Sequence, residues 1–243
     1  MATIEFLDQL LSDNKAREAK KLALIMDPAK KPFHILSFIG INEVYFIYKA
    51  FVEGDFKAAR QHLYNMGMTN AWYYEKINGE IFDVLATFTY PLLSDSSFLI
   101  ERYLTYTRMD SPGSFAACFG KAIQNVLKND IDGLSLNIEG LKKRSGQGWE
   151  KNYNGVIPVF EGFIDNDKAK IEEGLMSLLA KHNKQNQPPV LKDFMNLEAT
   201  ALAKLAWRKG ISVDVKSHLI PIVLLPVQEP DQYSGYEFFN EVS

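Results

Sequence analysis

The stretch from Pro188 to Gly210 constrains this chain more than any other. Pro188 and Pro189 end whatever regular structure precedes them. Asp193 is placed to accept a backbone N–H at a helix start. From Phe194 to Trp207 apolar side chains then cover most of a helical circumference. Arg208, Lys209 and Gly210 close the run, as cations in a last turn followed by glycine do. A helix over 193–209 that is apolar on several sides has to be enclosed by other helices. The predicted fold is all-α: stacked antiparallel helical hairpins, as a superhelix or an irregular bundle, around this buried helix.

A recurring punctuation supports hairpins. Gly54-Asp55, Ser94-Asp95, Asn129-Asp130 and Asn166-Asp167 each follow an apolar helix end and precede a new helical pattern. Each aspartate reads as an N-cap that satisfies orphan amides of the following helix. The four lie 40, 35 and 37 residues apart, the period of a stacked hairpin array. An irregular bundle with short loops yields the same turns, so both architectures stay open.

Upstream, Ile4–Leu11 and 13–25 read as two helices, and 35–52 as a long apolar one broken off by Asp27-Pro28 and Lys31-Pro32. Return helices are expected over 79–93 and 112–127, the second with Ser111 as cap and Pro112 at its first position. Residues 142–153 and 181–189 read as loops. Pro221 and Pro226 interrupt an apolar run and exclude a central strand, so 211–227 reads as an extended strap. The tail from Gln228 is acidic and aromatic, either frayed or docked. The chain is expected to form one domain over 1–243, with N-terminal helices at 1–32, the array at 33–210, and strap plus tail at 211–243.

An apolar share of 47% with 23% charged residues is that of a globular chain. A net charge of −3 leaves no global basic footprint for nucleic acid and tolerates a basic partner. The single cysteine, Cys118, excludes an internal disulfide, which fits a reducing, cytoplasmic setting. The first residues carry Glu5 and Asp8 and do not read as a signal peptide, and no run of some eighteen apolar residues suggests a membrane span.

The residue types that carry chemistry do not converge. The four histidines lack partners at metal-ligand spacing, so no metal or cofactor is expected. Asp130, Asp132, Gly133 and Glu139 approach a calcium-loop pattern, but Lys128 stands where its first carboxylate belongs. Cys118 lies in an apolar helix and reads as an inert thiol. Ser111–Ser114 lacks the strand of a nucleophile elbow. Glu198 is the exception, an acid inside the apolar helix: either a buried carboxyl with a raised pKa or, as such groups more often are, a structural acceptor. No catalytic residue is expected. Asp55, Asp95, Asp130, Asp167, Glu198, Trp207 and Gly210 are assigned structural roles. For contact with a protein partner, the candidates are Trp149, set among cations and glycines, Glu172 and Glu173, and the tail residues Glu229, Asp231, Tyr233, Tyr236 and Glu237.

Three stretches carry a resemblance. They are Asn196–Ile211 leading through Val213-Asp214 to Leu219-Ile220-Pro221, Ile164–Asp167 with its helix to His182, and Ser111–Ser114 leading to Leu127–Asp130. In these the chain resembles the immunity protein 49 family of bacterial toxin–immunity systems, in order over roughly 85–225. Ser94-Asp95 before Leu99–Tyr103 also resembles a related helical immunity group. The resemblance implies a mostly helical cytoplasmic protein, monomer or homodimer, that binds a cognate toxin and blocks it. It carries no catalytic motif. A helical-repeat adaptor in another complex is the alternative, and an enzyme or ligand-binding protein built around Glu198 a third.

Overall fold

The computed structural model describes residues 4–242 apart from 26, 28–31, 78, 80, 83, 110 and 231. Among the described residues there are ten α-helices and no strand, so the chain is all-helical as predicted. They are α1 (Ile4–Leu22), α2 (Pro32–Glu53), α3 (Phe56–Lys76), α4 (Ala86–Ser94), α5 (Ser97–Thr105), α6 (Phe115–Lys128), α7 (Ile131–Arg144), α8 (Val156–Asp165), α9 (Lys168–Ala180) and α10 (Leu197–Arg208). The main packed pairs are successive: α1 with α2, α2 with α3, α3 with α4, α6 with α7, α8 with α9. Helix α10 lies against α4 and α9, and every residue from Leu197 to Ala206 is buried. The helix at the centre is therefore shorter than the sequence predicts. Asn196, not Asp193, caps it, accepting from Ala199 N at 3.0 Å.

Three hairpin turns share one grammar. Gly54, Asn129 and Asn166 take left-handed backbones, with φ of 71°, 57° and 51°. The following aspartate donates its N–H five residues back, to Ala50 O, Asn125 O and Gly162 O, at 2.8–2.9 Å. Its carboxylate then caps the next helix, accepting from Ala58, Gly133 and Lys170 N. Helix C-cap and helix N-cap are thus fused in two residues. Helix α7 runs unbroken from this cap, so the calcium-loop pattern is a helix start. The Ser94-Asp95 turn departs from the prediction. Serine has no preference for the left-handed region, and Asp95 itself adopts it, with φ of 69°. Ser96 becomes the cap of α5, accepting from Leu99 N at 3.2 Å. The Asp95 carboxylate is turned inward instead.

There it gathers the fold. Asp95 is wholly buried and receives Lys204 Nζ at 2.6 Å, Arg208 Nη2 at 2.9 Å, Arg60 Nε at 3.1 Å and the N–H of Gln228 at 3.1 Å. The surplus positive charge is spread over strap carbonyls. Lys204 also donates to Leu224 O at 2.8 Å and Pro226 O at 2.7 Å, and Arg60 to Val223 O at 3.0 Å. Burial lowers the Lys204 ammonium to about 8, against the pull of Asp95. One carboxylate so ties α3, the α4–α5 corner, α10 and the strap together.

The predicted helix over 79–93 is helical only from Ala86. Before it, Phe82 takes φ of 63° and stacks its buried ring on Phe88, at 5.7 Å between centroids. Gly120 leaves room for that ring: a Cβ there would lie 2.4 Å from Phe82 Cγ. Helix α6 starts at Phe115 on a Ser114 cap rather than at Ser111-Pro112. The two expected N-terminal helices are one, α1.

The tail is docked over its described residues. Tyr233 stacks on Tyr64 at 4.3 Å and donates its hydroxyl to Ser94 O. Tyr236 donates to Glu43 Oε1 at 2.5 Å, and Phe238 meets the Trp72 ring edge-on at 5.4 Å. Helix α2, contrary to expectation, is long and apolar enough to cross a membrane by length and composition. Its midpoint, however, faces protein. Asn42 donates to Glu18 of α1 at 2.7 Å, and Glu43 accepts from Asn65 of α3 and Tyr236 of the tail.

Candidate functional site

The sequence after α9 turns back on itself through polar side chains rather than regular structure. Gln185 Nε2 donates to Leu178 O and Asn152 O, at 3.0 and 2.8 Å. Lys181 Nζ reaches Lys151 O and Asn154 Oδ1, at 2.8 and 2.7 Å. The Asn196 amide bridges Gln185 Oε1 and His182 Nδ1, while His182 Nε2 donates to Lys192 O at 2.7 Å. Loop 181–189 is thereby fixed to the 150–153 turn and to the start of α10.

Between this loop, the start of α4 and the 149–153 turn lies an open cleft of about 620 Å3. That is the size of a small-ligand or side-chain pocket. Its floor is buried: Leu197, Glu198, Tyr153 and Tyr90. Its more accessible lining is mixed, with Val84 and Trp149 each about half accessible, Pro188 and Pro189, and the exposed polar residues Lys184 and Asn186. The Trp149 ring is steadied edge-on by Phe115 and Tyr153, at 5.8 and 5.6 Å. Asn186 N donates to the Tyr153 hydroxyl at 2.8 Å.

Glu198 is 3% exposed, in the first turn of α10. Gln187 holds it from one side, donating Nε2 to Oε2 while its own Oε1 accepts from Leu197 N at 2.9 Å. The helix N-terminus favours a negative charge here. Loss of water outweighs that and one amide bond, and raises the carboxyl from its ordinary 4.5 to about 7. Burial, with Glu198 nearby, pushes the phenols of Tyr90 and Tyr153 well up, so both stay protonated. The cleft offers an acid that is half ionised near neutrality, but among the described residues no nucleophile paired with a base. Among the described residues no group of three His, Cys, Asp or Glu converges as a metal site.

The remaining candidate residues are scattered. Trp149 is at the cleft rim. Glu172 accepts from Asp214 N at 2.6 Å and so braces the strap. Glu173 and Glu237 are exposed on separate elements. Glu229 accepts from Ser97 N at 2.7 Å, and Tyr233 and Tyr236 bind the body of the protein, so these three hold the tail in place. Asp231 lies outside the described residues. Trp207 is half-buried, its Nε1 without a hydrogen-bond partner among the described residues, and Gly210 ends α10 with φ of 79°. The cluster of Arg60, Lys204 and Arg208 around Asp95 is absent from the sequence reading. Its one signal is a lysine, Lys204, in the middle of an apolar run that the sequence marks as enclosed on several sides.

No curated protein and no solved structure matches the chain. The sequence model of the family described as Immunity protein 49 matches residues 82–224. The matched span begins at Phe82 and ends at Leu224, so it contains the cleft, the Asp95 turn, α10 and the first strap carbonyls that Arg60 and Lys204 bind. With more than half its length inside that match, the chain belongs to the immunity protein 49 family.

Proposed function

We propose that this protein is a cytoplasmic immunity protein that binds a cognate bacterial toxin and neutralises it by protein–protein contact, without chemistry of its own. The family match over 82–224 carries the reading. Two features of the molecule support it. The matched region is held by a buried charge cluster and laced loops, and a surface fixed in advance loses little conformational entropy on binding. The exposed, edge-packed Trp149 at the cleft rim is also the kind of aromatic that anchors interfaces.

The test is co-expression with the toxin encoded beside this gene. A host carrying both is expected to grow as a toxin-free host does, and the two proteins to co-purify. A host that dies as fast with this protein as without it refutes the assignment.

A further inference from the structure

We propose that the cleft over Glu198 receives a single basic side chain, an arginine or a lysine, inserted by the bound toxin. The inference rests on the immunity reading and names the chemistry of the contact.

Its basis is a comparison among the four acids buried among the described residues. Asp95 has three cations on it, Glu18 pairs with Lys15, and Glu43 has His62 at 2.7 Å. Glu198 is buried to the same degree, yet among the described residues only the neutral amide of Gln187 donates a side-chain bond to it. It is also the one of the four that stands on the floor of an open cleft. Lys184, the only cation lining that cleft among the described residues, is exposed and does not pair with it.

The walls suit the rest of such a side chain. Val84 and Pro188 present apolar surface for an alkyl stem. Trp149 at the rim and Tyr90 and Tyr153 beside Glu198 at the floor present aromatic rings, on which a guanidinium or ammonium is held electrostatically. A cation arriving at the floor gives Glu198 the kind of partner that Asp95 has in Lys204 and Glu18 has in Lys15, and the acid has already lost most of its water on folding. A neutral aromatic plug would fill the same walls but leave the acid as it is, and the experiment separates the two.

The probes are N-acetyl-arginine amide and its uncharged citrulline counterpart, titrated against the full chain. The readout is the indole N–H signal of Trp149 in NMR spectra, assigned through Trp149→Phe. The arginine probe is expected to bind at least about fivefold more tightly than the citrulline probe. Glu198→Gln is expected to abolish that preference. Val84→Arg, at an exposed rim position, is expected to weaken the arginine probe more than the citrulline one, because the added charge repels only the former. Equal binding of both probes, or no response to arginine at millimolar concentration, overturns the proposal. In the co-expression assay, protection unchanged by Glu198→Gln and Val84→Arg overturns the insertion and leaves immunity standing. Host death with the wild-type chain overturns immunity itself.

Discussion

Nζ of Lys204 sits 2.6 Å from Oδ1 of Asp95, and neither side chain touches solvent. The two residues lie 109 apart in sequence. Their contact joins the α4–α5 corner to the central helix, and through Arg60 and Arg208 it reaches α3 and the last turn of α10. Buried ion pairs stabilise modestly in balance, because desolvation offsets most of the attraction, but breaking one leaves an uncompensated charge. Asp95→Ala strands three cations and is expected to cost about 3–5 kcal/mol. Lys204→Met leaves two cations on the carboxylate and should cost less. The double variant should recover part of the loss of Asp95→Ala. Urea unfolding of the three proteins measures this, and strictly additive losses would show that the pair is not coupled.

The docked tail gives a second test. Tyr236 donates to Glu43, a buried carboxylate that His62 and Asn65 also hold. Tyr236→Phe keeps the ring contacts with Phe238 and Phe239 and deletes only the hydroxyl. The expected loss is about 1–2 kcal/mol. Because the tail also packs on Trp72, hydrogen exchange should quicken in α3 near Trp72 as well as in the tail. Unchanged exchange there would mean that the tail contributes nothing to holding α3.

Glu198 sets a pH dependence. Its carboxyl is raised to about 7 from 4.5, so the fold prefers it protonated. The stability that this proton confers is complete below about pH 4.5 and is lost as pH rises through 7. The facing titratable groups do not alter the sign: Tyr90 and Tyr153 remain protonated throughout, and Lys184 does not pair with it. Glu198→Gln keeps the size of the side chain and cannot ionise. It is expected to match the wild type at pH 4 and to exceed it at pH 8 by up to about 3 kcal/mol. Thermal unfolding at the two pH values decides. A wild type more stable than the variant at pH 8 would place a cation against this acid inside the molecule itself.

Much of this fold is legible in the sequence because it is written in local signals. Asp55, Asp130 and Asp167 cap helices as their neighbours predict, since Gly54, Asn129 and Asn166 tolerate the left-handed backbone that the preceding turn needs. The same reasoning misplaces Asp95. The identity of the residue before it, Ser94, and a second possible cap behind it, Ser96, are the two clues that the register shifts by one. Where three cations come from is not a local matter: Arg60, Lys204 and Arg208 meet only after α3 and α10 have packed. The helix expected from Gly79 fails for a similar reason. Phe82 is held in a left-handed backbone by its stacking on Phe88 and by a glycine, Gly120, some forty residues away. Glu198 could be singled out as a buried acid in an apolar helix. The cleft above it could not, because its walls come from four separate segments of the chain.

Two glycines set how closely α8 and α9 approach. A Cβ on Gly155 would lie 2.5 Å from Gly174 O, and one on Gly174 would lie 2.6 Å from Gly155 O. Both obstacles are backbone, so neither can swing aside, and the helices would have to part. Gly155→Ala is therefore expected to destabilise by about 1–3 kcal/mol, the cost of overpacking a tight contact. Gly146, in the loop after α7, makes a control, because a Cβ there meets nothing within 4 Å. Gly146→Ala should be neutral or gain a few tenths of a kcal/mol through a less disordered unfolded chain. The strain at Gly155 also has a direction. Parting α8 from α9 moves the end of α9 that carries loop 181–189, and with it the wall of the cleft formed by Pro188. Gly155→Ala should thus shift the Trp149 indole resonance, which Gly146→Ala should leave in place. An unmoved indole signal together with a lowered melting temperature would show that the cleft is insulated from this crossing.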